Sequence, residues 1–233
     1  MAERIYLAMT AGEFAALSSL PPYIGWMACH FSPYGTGLNN LPVSLPAGSL
    51  LILNDRIPIC GHDPDRIAGQ LLQLCEANQC SGILLDFQRS DIPETAALTA
   101  LLSRSAFPCP LSVTEQYASH SPGPVFLSAC PHHISLRDHI APWQGRELWL
   151  ELARDAETIT LTQSGAVTHG LPFGEIPAGG FEEQNLHCHY AVETTPSVAR
   201  FTLWRTRADL EALAREAAGM GIRTLVGLYQ DLK

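Results

Sequence analysis

The chain has 233 residues, 46% of them hydrophobic, and a formal net charge of −9. That length suits one α/β barrel, and the apolar fraction is enough to bury a sizeable core. An acidic chain whose single lysine is Lys233 has no basic patch of the kind that nucleic acid or an anionic membrane surface needs, so both are excluded as expected partners.

No run approaches the roughly 18 consecutive apolar residues of a membrane span. The start, Met1-Ala2-Glu3-Arg4, lacks the basic region and long apolar stretch of a secretory signal. Seven cysteines, an odd number, fit reduced thiols better than a disulfide framework. A cytoplasmic location is therefore expected. Nothing in these properties speaks to the oligomeric state.

In chain order, Arg4–Thr10 is a short strand, followed by a helix over Ala11–Ser18 that Pro21-Pro22 stops. Tyr23–Phe31 is a second strand, and the Pro-, Gly- and Asn-rich stretch Ser32–Ser49 is a loop over the strand ends. Leu50–Asp55 is a third strand. Asp63-Pro64 supplies an N-cap with proline at the first helical position, opening a helix Asp65–Asn78 with Ile67, Leu71, Leu74 and Cys75 at helical spacing.

Gly82–Gln88 is a fourth strand, apolar on both faces until its C-terminal end, as strands of parallel sheets are. Residues two apart share a face, so Leu84, Asp86 and Gln88 face one way and Ile83, Leu85 and Phe87 the other. A helix capped by Asp91 runs to about Ser103. Leu111–Tyr117 and Pro124–Cys130 are the fifth and sixth strands, Ser135–Ile140 a short helix, and Glu147–Leu152 the seventh strand.

The rhythm then changes. Thr158–Thr162 and Ala166-Val167 form a hairpin around Gly165, and His187–Glu193 and Arg200–Trp204 alternate in the same way. Arg207–Gly219 is a helix with Leu210, Leu213, Ala214 and Ala217 on one stripe, and Ile222–Gln230 is the final strand. Eight strands with helical crossovers predict a (β/α)8 TIM-type barrel, an α/β fold, with an antiparallel β insertion at about 156–204 between strands seven and eight. Residues 1–233 read as a single domain. An open doubly wound sheet is the competitor, but the chain lacks the glycine-rich first turn of its dinucleotide- and nucleotide-binding forms.

Side chains at strand C-termini converge on the mouth of a barrel. Here these are His30, Asp55, Asp86, Gln88, Glu115 or Gln116, Cys130, Glu151, Tyr229 and Asp231. Parity favours Asp86, Gln88, Gln116, Glu151 and Tyr229, with Glu115 and Asp231 behind them. Several carboxylates in one mouth suit general acid–base chemistry, although strand ends are also polar simply because they meet water. Cys60-Gly61-His62-Asp63, Cys130-Pro131-His132-His133 and His187-Cys188-His189 offer metal ligands, yet none has the spacing of a specific site. No metal and no cofactor is expected. A G-x-S-x-G elbow is absent, which gives serine hydrolysis little support.

The strand order resembles that of the family 18 glycoside hydrolases, the chitinase-like enzymes and their spore-cortex-lytic relatives. That family carries D-G-x-D-x-D-x-E on its fourth barrel strand, where this chain has Ser81-Gly82-Ile83-Leu84-Leu85-Asp86-Phe87-Gln88. The family also inserts an antiparallel flap between strands seven and eight. The segment Arg200–Leu213 resembles the strand and helix that follow its flap.

The resemblance implies that Asp86 stands where the family positions the substrate's acetamido group, and Gln88 where it keeps the general acid. Ser81 and Leu84 replace its first two aspartates, its tryptophan on the last strand falls near Gly227, and its tyrosine on strand six has no counterpart in Phe126–Cys130. An amide has no proton of suitable pKa to give, and losing a general acid costs on the order of two to four decades in rate. The standard hydrolysis is thus expected to be absent. The favoured reading is a barrel that binds a saccharide or small polar ligand through Asp86, Gln88, Gln116, Glu151 and Tyr229, aided by Asp55, His30 and Asp231. The alternatives are a glycosidase with its acid relocated to Glu115 or Glu151, and an interaction protein that uses the β insertion.

Overall fold

The computed structural model describes residues 4–172, 175–177 and 179–233. In chain order the strands are β1 (Arg4–Met9), β2 (Ile24–Phe31), β3 (Leu38–Asn39), β4 (Leu50–Asn54), β5 (Gly82–Asp86), β6 (Leu111–Thr114), β7 (Val125–Leu127) and β8 (Leu148–Leu152). Then come β9 (Ala156–Thr162), β10 (Gly165–Gly170), β11 (Phe181–Glu183), β12 (Cys188–Thr194), β13 (Val198–Trp204) and β14 (Thr224–Leu228). The helices are α1 (Ala11–Ala15), α2 (Pro64–Asn78), α3 (Pro93–Leu102), α4 (Leu136–Ile140), α5 (Arg207–Gly219) and α6 (Tyr229–Leu232).

The first of two compact units comprises residues 4–128, 145–151 and 222–229. In it β1, β2, β4, β5, β6, β7, β8 and β14 form a sheet in the order β1-β14-β8-β7-β6-β5-β4-β2, and β1 also pairs in parallel with β2, which closes it into an eight-stranded barrel. The expected TIM-type barrel is therefore the observed fold. β3 adds a short antiparallel edge to β2.

Alternation divides each strand as the sequence requires. Tyr6, Ala8, Leu50, Ile52, Leu84, Phe126, Trp149 and Val226 form one buried cluster, the barrel interior. Ile83, Leu85 and Phe87 belong to a second cluster with Ile67 and Leu71 of α2 and Leu98 and Leu102 of α3. Helix α2 starts where its N-cap says it should, with Asp63 Oδ1 accepting from the Asp65 amide at 3.0 Å. Helix α3 differs: Ile92 occupies the cap position without a side-chain bond. Asp91, the expected cap, sits at φ 58° instead.

The second unit comprises residues 129–144, 152–221 and 230–233. It holds a five-stranded antiparallel sheet in the order β10-β9-β13-β12-β11, the β insertion lying in the chain between barrel strands seven and eight. The hairpin turns as expected, with Thr162 opposite Gly165. Thr206 and Asp209 form a capping box that opens α5, and the stripe Leu210, Leu213, Ala214 and Ala217 is buried.

Several strands end earlier than the sequence suggests: β5 stops at Asp86 and β7 at Leu127, short of Gln88 and Cys130. β6 finds a partner only as far as Thr114, opposite Phe126, and the chain then turns into a 3-10 helix over Glu115–His120. Without a neighbour to satisfy its amides, the backbone closes on itself. The final strand stops at Leu228, and Tyr229 begins α6. Val226 and Leu228, not Gly227, pack on the interior cluster. Tyr229 and Asp231, expected at the end of the final strand, therefore lie in α6 instead.

No helix among the described residues is long and apolar enough to cross a membrane. All seven cysteines are free thiols.

Candidate functional site

The C-terminal ends of β1, β2, β4 and β5 surround a cavity of about 900 Å³. Thr10, Met27, His30, Asn40, Asn54, Asp55, Arg56, Asp86, Gln88 and Arg89 are among its lining residues. It therefore gathers four of the residues singled out from the sequence, His30, Asp55, Asp86 and Gln88, around the end of the fourth barrel strand.

Asn54 and Asp86 stand opposite each other in the β4–β5 register, continuing the inward face of Ile52 and Leu84. Each has a defined task. Asn54 Nδ2 donates to the carbonyls of Met27 and Cys29, both at 2.9 Å, and so pins the irregularity in β2 between Trp26 and Cys29. Met27 and Ala28 reach the cavity from that irregular stretch. Asp86 accepts a short hydrogen bond from the Gln88 side-chain amide at Oδ1.

Asp55 is 5% exposed and serves the backbone. Its Oδ1 accepts from the Gln88 amide at 3.1 Å and its Oδ2 from the Arg89 amide at 2.9 Å. The carbonyls of the same segment are held from β6 and the turn after it. Phe87 O accepts from Thr114 Oγ1 at 2.8 Å and Gln116 Nε2 at 2.6 Å, and Arg89 O accepts from the Tyr117 hydroxyl at 2.5 Å. Five bonds thus fix three consecutive residues, and the Asp86–Gln88 pair is presented on a rigid mount.

The electrostatics follow from this packing. Burial pushes the Asp86 carboxyl above the ordinary range, the hydrogen bond from Gln88 pulls it back, and the charge of Asp55 adds to the rise. His30 contacts the Phe31 carbonyl through Nδ1 at 2.8 Å and Asn40 Nδ2 through Nε2 at 3.1 Å. A carbonyl can only accept and an amide NH2 can only donate, so the network assigns the proton to Nδ1 and leaves Nε2 an acceptor.

The other candidates lie elsewhere. Gln116 supports Phe87 from behind the cavity. Glu115 Oε1 accepts from Ser128 Oγ at 2.5 Å and from the Ser128 amide at 3.2 Å. Neither residue lines the cavity, nor do Glu151 and Tyr229. In the second unit, Asp231 accepts from the Arg154 amide at 3.4 Å. Asn40, Asn54, Arg56 and Arg89 are cavity residues that the strand-end reading missed. Asn54 and Arg56 flank the chosen Asp55 and Arg89 follows Gln88, so strand-end position was a usable signal for three of the four.

The histidine clusters are spent on internal pairs. His187 lies outside β12 at φ 48° and pairs with Glu216 at 2.7 Å, while His189 pairs with Asp209 at 3.0 Å. The two therefore do not chelate from one strand face. His132 sits between Asp155 at 3.4 Å and Glu157 at 3.0 Å. His62 Nδ1 accepts from the Cys60 amide at 3.0 Å. Among the described residues no group of three or more His, Cys, Asp or Glu side chains is placed to hold a metal ion. Trp26, Trp149 and Trp204 are buried, and no Phe, Tyr or Trp stands among the described residues lining the cavity.

Ser81, at the first position of the motif strand, is also structural. Its hydroxyl donates to Ser49 O at 3.3 Å and meets the Tyr6 hydroxyl at 2.7 Å.

No family model matches the chain, and no curated protein does. Solved structures match over almost the whole length. The spore cortex-lytic enzyme SleL of Bacillus cereus aligns with a TM-score of 0.60 and 10% identity, covering 100% of this chain and 72% of that one. A chitinase-like agglutinin of Robinia pseudoacacia gives 0.62 and 13%, covering 98% and 95%. A family 18 chitinase variant of Cycas revoluta, in complex with (GlcNAc)4, gives 0.61 and 11%, covering 97% and 95%. At such identities the likeness is one of fold, and the barrel is built as in the family 18 chitinases and the cortex-lytic enzymes.

Proposed function

We propose that this barrel binds a saccharide or another small polar ligand in the cavity at the end of β5 and does not carry out the hydrolysis standard for family 18. The observation that carries the reading is the Gln88–Asp86 pair. Where the family resemblance puts a protonated acid beside an aspartate, Gln88 is an amide that donates its hydrogen bond to Asp86. An amide can hold a ligand oxygen but cannot protonate a leaving group. Asp86 stays placed to accept from a ligand N–H or O–H.

Two fold relatives support a binding role. One carries the name of an agglutinin rather than of a hydrolase. The other holds (GlcNAc)4 in a variant that has a glutamate exchanged for glutamine.

Isothermal titration of the full chain with chitooligosaccharides and soluble peptidoglycan fragments tests the reading. Binding is expected, weakened several-fold or more in Gln88→Ala, with no reducing ends released. No heat with any of these sugars and no effect of Gln88→Ala would sink the saccharide assignment. Turnover matching an active chitinase would sink the loss of hydrolysis.

A further inference from the structure

We infer that the cavity takes an anionic ligand whose acidic group lies on Arg56 and Arg89. Resting on the saccharide reading above, that ligand is a carboxylate-bearing sugar rather than a neutral chitooligosaccharide.

The chain carries 14 lysines and arginines against 23 acidic residues, yet two arginines stand together on this cavity. Several of the other guanidinium groups have carboxylate or carbonyl partners of their own. Arg200, Arg205 and Arg207 pair with Glu193, Asp155 and Glu211. Arg146 donates to the carbonyls of Ala118, Ser121 and Gly123. Among the described residues no carboxylate forms an ion pair with Arg56 or Arg89, although both lie close in sequence to Asp55 and Asp86.

The Asp55 carboxylate is already engaged, and so is one oxygen of Asp86. Both oxygens of Asp55 are taken by backbone amides, and Asp86 faces the Gln88 amide. The guanidinium groups keep almost all of their donors. Arg89 uses one, Nη2, to reach the Arg56 carbonyl at 3.1 Å, which sets its head over the Arg56 backbone. Both residues are exposed.

Their backbones are also fixed. Arg56 N donates to Asn54 Oδ1 at 3.2 Å, and the Arg89 amide and carbonyl are both bonded. Two planar five-donor groups on rigid strand ends, without an internal counter-charge, form a fork for a carboxylate. The absence of Phe, Tyr and Trp among the described residues of the cavity points the same way. Among the described lining residues only His30 has a ring to offer a neutral sugar, so recognition falls mainly to hydrogen bonds and charge.

The test is isothermal titration of the full chain with the disaccharide of N-acetylglucosamine and N-acetylmuramic acid, whose lactyl group is a carboxylate. Uncharged chitobiose and free lactate are titrated in parallel. The acidic disaccharide is expected to bind about tenfold more tightly than chitobiose, because hydrogen bonds to charged groups from two guanidinium groups together are worth about that much. That preference shrinks as salt is raised, and the affinity ratio falls to near one in Arg56→Gln/Arg89→Gln. Circular dichroism of the variant checks that its fold is retained.

Equal affinity for the two disaccharides, or a preference that survives in the double variant, overturns the charge inference while chitobiose binding leaves the saccharide reading standing. Lactate binding that depends on both arginines, with neither disaccharide bound, supports the anion site and overturns the saccharide reading. No binding of any of the three overturns both.

Discussion

Asp55, just past the end of β4, holds Gln88 by its backbone: Oδ1 accepts the Gln88 amide at 3.1 Å while Oδ2 takes the amide of Arg89 at 2.9 Å. One buried carboxylate thereby orients the two side chains that define opposite ends of the cavity chemistry, an amide and a guanidinium.

Asp55→Asn keeps the shape but leaves a single acceptor, and turns an NH2 group against a backbone N–H. An unsatisfied buried donor costs about 1–3 kcal/mol. The urea midpoint at neutral pH should fall accordingly, and the affinity for any cavity ligand should fall with it. An unchanged midpoint would show that the Phe87–Arg89 segment is held from β6 alone.

The Asp86 carboxyl is raised by burial first and by the charge of Asp55 as well, against the pull of the Gln88 hydrogen bond. The folded protein then keeps this proton at pH values where the unfolded chain has released it. In that window the folded state binds more protons, so its stability falls as pH rises through the window and the contribution is fully present only below the unfolded value. Asp86→Asn removes the titration. The stability difference, wild type minus variant, should decline from about pH 4 upward and level off once both states are ionised. Urea denaturation across the acidic range measures it, and a flat difference would refute the shift.

Gln88→Glu places a second carboxyl against Asp86. Two carboxyls at hydrogen-bond range share a proton, so the pair should titrate in two steps, one of them above the ordinary carboxylate range. Carbon-detected NMR of the two carboxyl signals reads this directly. Hydrolysis of chitotetraose should stay near the wild-type level, because Leu84 and Ser81 stand where the family resemblance expects two more aspartates. A gain on the order of two decades or more would show that the remaining machinery is intact.

Gly82 begins β5, and a Cβ there would come within 2.8 Å of Trp149 Cη2 and 3.2 Å of Leu50 Cδ1. The Trp149 indole fills the barrel interior only because that position has no side chain. Gly82→Ala should cost about 1–3 kcal/mol through overpacking. Gly69, in α2, is the control, since a Cβ there would meet nothing within 4 Å. Gly69→Ala should stabilise the helix by about 0.5–1 kcal/mol. Thermal denaturation of the two variants should move in opposite directions.

What was legible in the sequence is what depends on local geometry. The alternation of Ile83, Leu84 and Leu85 told which face of β5 packs on helices and which fills the barrel. Asp63-Pro64 marked a helix start through a bond made within two residues. The position of Asp86 and Gln88 on a fourth parallel strand placed them at a cavity on the strand ends before any tertiary contact was known.

Tertiary structure decided everything that depends on where a neighbouring strand ends. Extending alternation to Gln116 and Tyr229 failed because β6 loses its partner after Thr114 and β14 stops at Leu228, and a chain without a ladder partner turns into helix. The assembly of Asn54, Arg56 and Arg89 into one cavity was likewise settled by closure, since Asp55 reaches 33 residues along the chain to the Gln88 amide. Period-2 patterning is written in each segment, whereas convergence of loops is a property of the closed barrel.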